Sequence, residues 1–128
     1  MNYLLDTHTF LWFIAGNNEL SKKAKSIILN PDNEKYISIA SFWEVAIKLK
    51  IEKIELDFPF KELKNQAIKN GFQILPILFE DTLQLTNIEL LHRDPFDRII
   101  IAQAIHNKLT IISKDPEFLN YPVRVVWN

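Results

Sequence analysis

Five carboxylates stand where this chain is expected to change direction. Asp6 closes the apolar run NYLL, Glu44 sits in SFWEVAIK, Asp94 and Asp97 open DPFDRIIIAQA, and Asp115 follows IISK. Asp directly before Pro, as at Asp94 and Asp115, is a common helix start: the carboxylate caps and Pro takes the first helical position. Each acid has such an explanation when taken singly. Asp6, Asp94 and Asp115 read as N-caps, Glu44 as the second half of a capping box with Ser41, and Asp97 as a first-turn acid favoured by the helix dipole. Capping, however, is satisfied by any Ser, Thr, Asn or Asp, and it does not require a carboxylate at every helix start along one edge. Gathered acids repel one another unless a cation compensates them. Carboxylates without Cys or paired His suit Mg²⁺ or Mn²⁺, and they must outweigh the helix N-termini, whose positive ends oppose a cation.

The elements that would carry these acids follow from the apolar pattern. Residues 2–5 read as a strand, 7–15 as a buried helix closed by Gly16, and 22–30 as a short helix after Ser21, stopped by Pro31. Residues 35–39 alternate as a strand, and Ser41 is expected to open the next helix, with Trp43, Ile47 and Lys50 stepping round it. A helix over 59–70 ends at Gly71, a strand covers 72–75, and 79–89 and 95–107 read as helices. Residues 109–113 and 123–126 supply the last strands. Apolar strands separated by helices argue for a single α/β domain over residues 1–128, a three-layer α/β/α sandwich around a parallel sheet of about five strands. In such a sheet ligands bind outside the C-terminal strand ends, the edge on which all five acids fall.

Composition removes several alternatives. The 128 residues include no Cys, so disulfides, thiolate zinc sites and Cys nucleophiles are excluded together. Two Gly residues, Gly16 and Gly71, cannot build a P-loop or a dinucleotide fingerprint. The start MNYLLDTHTF has no basic segment and meets an acid at Asp6, and the apolar run 10–15 is too short to cross a bilayer, which reads as a soluble cytoplasmic protein. A net charge of −1 and a pI near 6.3 give no general basic field, so contact with nucleic acid would rest on local clusters: Lys22, Lys23 and Lys25; Lys48, Lys50 and Lys53; Arg93 and Arg98. The bland reading of those clusters is solvated helix faces. His8, His92 and His106 lack ligand spacing and receive no role. Lys48 reads as an ordinary i, i+4 partner of Glu44, and Trp12 and Trp43 as core or subunit contacts rather than base-stacking platforms. Ser113 either bonds a nearby carboxylate or merely ends its strand.

Asp6 after an apolar strand, Glu44 in SFWEVAIK, Asp97 in RDPFDRIIIAQA and Asp115 in IISKDPEF together resemble the PIN-domain ribonucleases, specifically the VapC-type toxins of bacterial toxin-antitoxin pairs. Each motif is short; four in order along the whole chain make the signal. The resemblance implies Mg²⁺- or Mn²⁺-dependent cleavage of RNA, a homodimer, and inhibition by a small antitoxin protein. It places an acidic quartet on Asp6, Glu44, Asp97 and Asp115, with Ser113 at the family's Ser/Thr position. Asp94 stays open between a further ligand, an outer group and a cap for Pro95. The near-neutral charge departs from an RNA-binding expectation and leaves affinity to local cations such as Arg98.

Two rivals remain. A haloacid-dehalogenase-type phosphatase also places Asp after its first strand, as in LLDTHT, but wants a second Asp where His8 stands. A receiver-like metal-binding module would need a phosphorylatable Asp at the third strand, where Ile74-Leu75-Pro76 offers none. The aromatic content of FLWFIA, more than one small core obviously needs, is the sequence's own argument for a homodimer.

Overall fold

Tyr3 and Leu5 belong to one apolar cluster and Leu4 to a second, and the same division separates Ile112 from Ile111. This alternation is the period of a strand buried on both faces. In the computed structural model, which describes residues 1–89, 91 and 94–128, the two runs form β1 (Asn2–Leu5) and β4 (Thr110–Ile112), paired in parallel at the centre of the sheet. β2 (Glu34–Ser38) joins the other side of β1, β3 (Gln73–Leu75) joins β2, and β5 (Val125–Val126) joins β4. All pairings are parallel, in the order β3-β2-β1-β4-β5.

The helices α1 (Thr7–Ala15), α2 (Lys22–Leu29), α3 (Ile39–Lys50) and α4 (Leu63–Lys69) supply the first cluster. Helices α5 (Phe79–Leu85) and α6 (Pro95–Asn107), with a 3-10 turn at Pro116–Asn120, supply the second. The result is the three-layer α/β/α sandwich with five parallel strands that the apolar pattern implies. It turns at few glycines. Gly16 and Gly71 take positive φ at the ends of α1 and α4, and Lys108 does so at the end of α6, where Leu109 N–H bonds to the Ala104 carbonyl at 2.9 Å.

Several boundaries differ from the sequence reading. α3 starts at Ile39 with Ser38, not Ser41, as its cap: Ser38 Oγ accepts from Ala40 N–H at 3.0 Å. The expected Ser41–Glu44 capping box therefore does not form, and Glu44 lies in the second turn rather than the first. Residues 59–62 form a 3-10 turn before α4, and the helix read over 79–89 stops at Leu85. There Thr82 and Thr86 hydroxyls donate to the Phe79 and Leu83 carbonyls, local bonds that compete with helix continuation. The last strand begins at Val125 rather than Val123.

Gln103, fully buried on α6, locks the sheet edge on which the acids lie. Its Oε1 accepts from Ser38 Oγ at 2.5 Å, and its Nε2 donates to the Pro76 carbonyl at 3.1 Å. One side chain thus joins the ends of β2 and β3 to α6. Gln103→Leu is expected to cost about 2–3 kcal/mol, because two buried polar groups lose their partner. Urea unfolding monitored by circular dichroism checks this, and a midpoint equal to that of wild type would remove the crosslink from the argument.

Candidate active site

A parallel strand ends at the point where the next helix begins, so residues just after β1, β2 and β4 share one edge. The strand order reverses between β1 and β4, which leaves a crevice at that edge. A cleft of about 500 Å³ opens there, lined by Asp6, Glu44, Asp94, Asp97 and Asp115, the five acids of the sequence reading. His8, Trp12 and Lys114 complete much of its wall.

Asp6 caps α1, and its carboxylate is nearly buried. Oδ1 accepts from Thr9 N–H at 2.9 Å and Oδ2 from the Ser113 hydroxyl at 2.5 Å. Ser113 Oγ in turn accepts from Asp115 N–H at 3.0 Å, so β4's end is tied to β1's end through one hydroxyl. Ser113 thus bonds a neighbouring carboxylate, one of its two readings. Burial pushes the Asp6 carboxyl above the usual carboxylate range, opposed by the Ser113 and Thr9 hydrogen bonds and by nearby His8.

Glu44 is held at both oxygens. Thr7 Oγ1 lies 2.6 Å from Oε1 and 2.9 Å from Ser41 Oγ. A hydroxyl has one proton, so Thr7 donates to the carboxylate and accepts from Ser41. Lys48 Nζ meets Oε2 at 2.5 Å, with the Glu44 side chain 3% exposed and that of Lys48 29% exposed. The i, i+4 pair that the spacing suggested is formed, and it supplies the counter-charge of a buried acid.

Asp94 caps α6, accepting from Phe96 N–H at 2.9 Å and Asp97 N–H at 3.3 Å. Asp115 caps the 3-10 turn by accepting from Glu117 N–H at 2.9 Å. Asp97, half-buried in the first turn of α6, also faces the cleft. Capping and convergence therefore hold together: the geometry that satisfies helix ends also aims the acids at one space. Among the described residues, no three of these groups form a closed ligand set. Glu44 is turned to Thr7 and Lys48, and Asp6 to Ser113 and Thr9.

Thr7 and Trp12 were missed by the sequence reading as site residues. A hydroxyl immediately after Asp6 was the legible sign for Thr7. For Trp12 it was the i, i+4 spacing from His8, which puts both on one face of α1. The histidines divide: His8 lines the cleft, His106 Nδ1 lies within hydrogen-bond distance, 2.8 Å, of the buried Asp81 Oδ1, and His92 lies outside the described residues, as does Arg93. Trp12 and Trp43 are not core. Trp43 is 60% exposed and stands edge-on to Phe96, while Trp12 lies in the cleft wall, tilted against Trp127.

The family profile of the PIN domain matches residues 3–123. The chain belongs to the PIN-domain family. Members of that family are generally nucleases, and the PIN fold of this chain is shared with several solved complexes. VapBC2 from Rickettsia felis, bound to a DNA fragment from its promoter, has a chain 15% identical, with TM-score 0.73 and full coverage of both chains. DNA-bound VapBC from Salmonella typhimurium is 19% identical over 98% of this chain and 97% of the other, with TM-score 0.73. FitAcB from Neisseria gonorrhoeae is 20% identical over 98% and 96%, with TM-score 0.66. No curated protein sequence matches the chain. Among the described residues, no helix of this PIN domain is long and apolar enough to cross a membrane.

Asp6 tests whether the acids merely cap. Asn caps as well as Asp, so a pure cap predicts a change of at most a few tenths of a kcal/mol in Asp6→Asn. A raised folded-state pKa predicts more. Stability of the wild type is fullest where Asp6 is protonated in both states, and is lost as pH rises from the ordinary carboxylate range through the raised value. Without divalent ions, Asp6→Asn is therefore expected to melt higher at neutral pH, the gap closing in acid. Saturating Mn²⁺ should reverse the order, since an ion that binds only the folded state adds about 2.7 kcal/mol at a hundredfold excess over its Kd. Parallel melting curves with and without Mn²⁺ would leave Asp6 as a cap alone.

Proposed function

We propose that this PIN domain is a Mg²⁺- or Mn²⁺-dependent endoribonuclease and the toxin of a toxin-antitoxin pair. The observation that carries the reading is the delivery of five carboxylates, from after β1, from α3, from α6 and from after β4, to one cleft of about 500 Å³. The likeness to the VapBC and FitAcB complexes above supports the partner, a small cognate antitoxin protein.

The donor set fits a divalent ion. It consists of hard oxygen ligands, and it includes a desolvated carboxylate, Asp6, together with a buried one, Glu44, that already draws a cation. Asp6, Glu44, Asp97 and Asp115 would hold the metal, with Asp94, which caps α6, beside them in the cleft as a further acid. When bound, such an ion polarises a scissile phosphate and lowers the pKa of a water to supply hydroxide. The protein's own part is positional. Ser113 fixes Asp6, Thr7 and Lys48 fix Glu44, and Asp94 fixes the first turn of α6 on which Asp97 stands. Lys114 at the cleft, and Arg98, next to Asp97 in the sequence, are candidate cations for phosphate.

Incubation with RNA and Mn²⁺, beside a chromogenic phosphomonoester, tests the reading. RNA cleavage abolished by chelator is expected; release of phosphate from the monoester alone would favour the phosphatase. The strand order argues against the receiver-like module, whose fold type carries the order 2-1-3-4-5 rather than 3-2-1-4-5.

We further propose that the protein is a homodimer, through a surface other than the one the sequence suggested. In α1, Phe10 is buried and Leu11, Phe13 and Ile14 pack on the core, so that helix's aromatic surplus is largely used internally. An exposed apolar stripe runs along α3 and its C-cap, Ile39, Trp43, Ile47 and Ile51, spaced i, i+4 and 39–60% exposed, with the edge-on contact to Phe96 at Trp43. Light scattering at micromolar concentration is expected to give twice the 15.1 kDa of one chain, and Ile47→Lys to halve that mass. A monomer in the wild type would count against it.

A further inference from the structure

The cleft has an aromatic wall that no carboxylate chemistry requires. Trp12, on α1, stands in it together with His8, their rings 5.9 Å apart and tilted by 44°. Both follow Asp6 on the helix it caps, so the wall's distance from the acids is fixed by a few residues of rigid backbone. The indole is braced from behind by Trp127 at 5.9 Å, which limits its rotation. Lys114 Nζ lies over the Trp12 ring at 5.9 Å and pairs with Glu19 at 3.0 Å. Lys114 and Glu19 are each 55% exposed, so this pair is held weakly and Lys114 is free to exchange Glu19 for another anion.

An amphipathic ring, a mobile cation and an acidic metal-type centre in one cleft fit the parts of a single nucleotide: base, phosphate and scissile bond. We infer that Trp12, flanked by His8, is a stacking platform for one unpaired base of the RNA substrate, and that Lys114 swings from Glu19 to the phosphate beside it. Stacking on a protein ring requires a base that is not paired. The inference rests on the ribonuclease reading and deepens it by assigning the side chains that hold one base and the phosphate beside it. It also reverses the role expected for Trp12 from sequence.

The test is equilibrium binding, by fluorescence anisotropy, of a labelled single-stranded oligouridine and of the same ribose-phosphate chain lacking its bases. It is run in an Asp97→Asn background to prevent cleavage, with Mn²⁺ present. Base–aromatic stacking is worth roughly tenfold or more in affinity per base, so Trp12→Leu is expected to bind oligouridine about tenfold more weakly. Trp12→Phe should restore most of that loss. The informative comparison is between ligands: removing the bases should weaken the Trp12 protein strongly and the Trp12→Leu protein little. Lys114→Gln, by contrast, should weaken both ligands equally and lower the salt dependence by about one phosphate contact. Melting temperatures establish that each variant is folded like its Asp97→Asn parent, and a Mn²⁺-induced shift equal to that parent's establishes that the changes at Trp12 and Lys114 leave the remaining acids undisturbed. Equal affinity of Trp12→Leu and its parent for oligouridine overturns the inference and leaves the ribonuclease reading standing. The same result accompanied by loss of antitoxin binding assigns the wall to a protein partner instead, and also overturns it. If the wild-type protein neither binds nor cleaves RNA, both the inference and the proposed function fall.

Discussion

Replacing Asp97 with Asn is expected to leave the protein folded and to slow metal-dependent RNA cleavage by about a thousandfold, equivalent to roughly 4 kcal/mol of activation free energy. The substitution keeps size and shape and removes only charge. The cap of α6 is Asp94, whose Oδ1 accepts from the backbone N–H groups of Phe96 and Asp97, so the helix start survives. Among the interactions the fold loses is a favourable helix-dipole contact, typically worth about 0.3–1 kcal/mol. What the cleft loses is one of the four acids assigned to the metal. Single-turnover cleavage at saturating Mn²⁺, beside a melting curve, separates the two, and a wild-type rate in the variant would take Asp97 out of the site.

The second large effect is on stability. Lys48→Met should destabilise the metal-free protein by about 3 kcal/mol, because it strips the counter-charge from a buried carboxylate. The Glu44 side chain is 3% exposed, and among the described residues Thr7, at Oε1, would remain on it. Pairing the change with Glu44→Gln should recover most of the loss, since a neutral amide needs no cation. Mn²⁺ should recover part of it in the single variant by taking Lys48's place. Urea midpoints for the two single variants, the double variant and the wild type give the coupling directly. Additive losses would mean that the pair is incidental to how Glu44 is held.

The contrast between Ser38 and Ser41 shows where sequence reasoning stops. Both are hydroxyls near the start of α3, and the S-x-x-E spacing favoured Ser41 as cap. The structure gives the cap to Ser38 and buries Ser41 beside Thr7. That shift of three residues moves Glu44 from a helix end, where its charge would sit against backbone N–H groups, into the second turn, where it needs side-chain partners. A local motif ranks caps by spacing alone. It cannot weigh the pull of Gln103, 65 residues away, on the Ser38 hydroxyl.

Much else was written locally. Runs that alternate or stay apolar over a few residues specify strands, 3.6-residue periodicity specifies helices, and a parallel order of such elements places every strand-end acid on one edge. By those rules alone, Asp6, Glu44, Asp94, Asp97 and Asp115 were legible as one constellation, and the α/β/α class with them. What only the tertiary structure decided is how each element is rotated about its own axis and what it therefore meets. The hydroxyl that holds Asp6 comes from 107 residues away and the one that holds Glu44 from 37. Trp12 went to the cleft wall rather than the core, and the exposed apolar stripe fell on α3 rather than α1. Each residue along a helix turns its side chain by about 100°, so an offset of one position redirects a side chain by more than the width of a neighbour. Periodicity fixes which face is apolar; only packing against the other layers fixes where the remaining faces point.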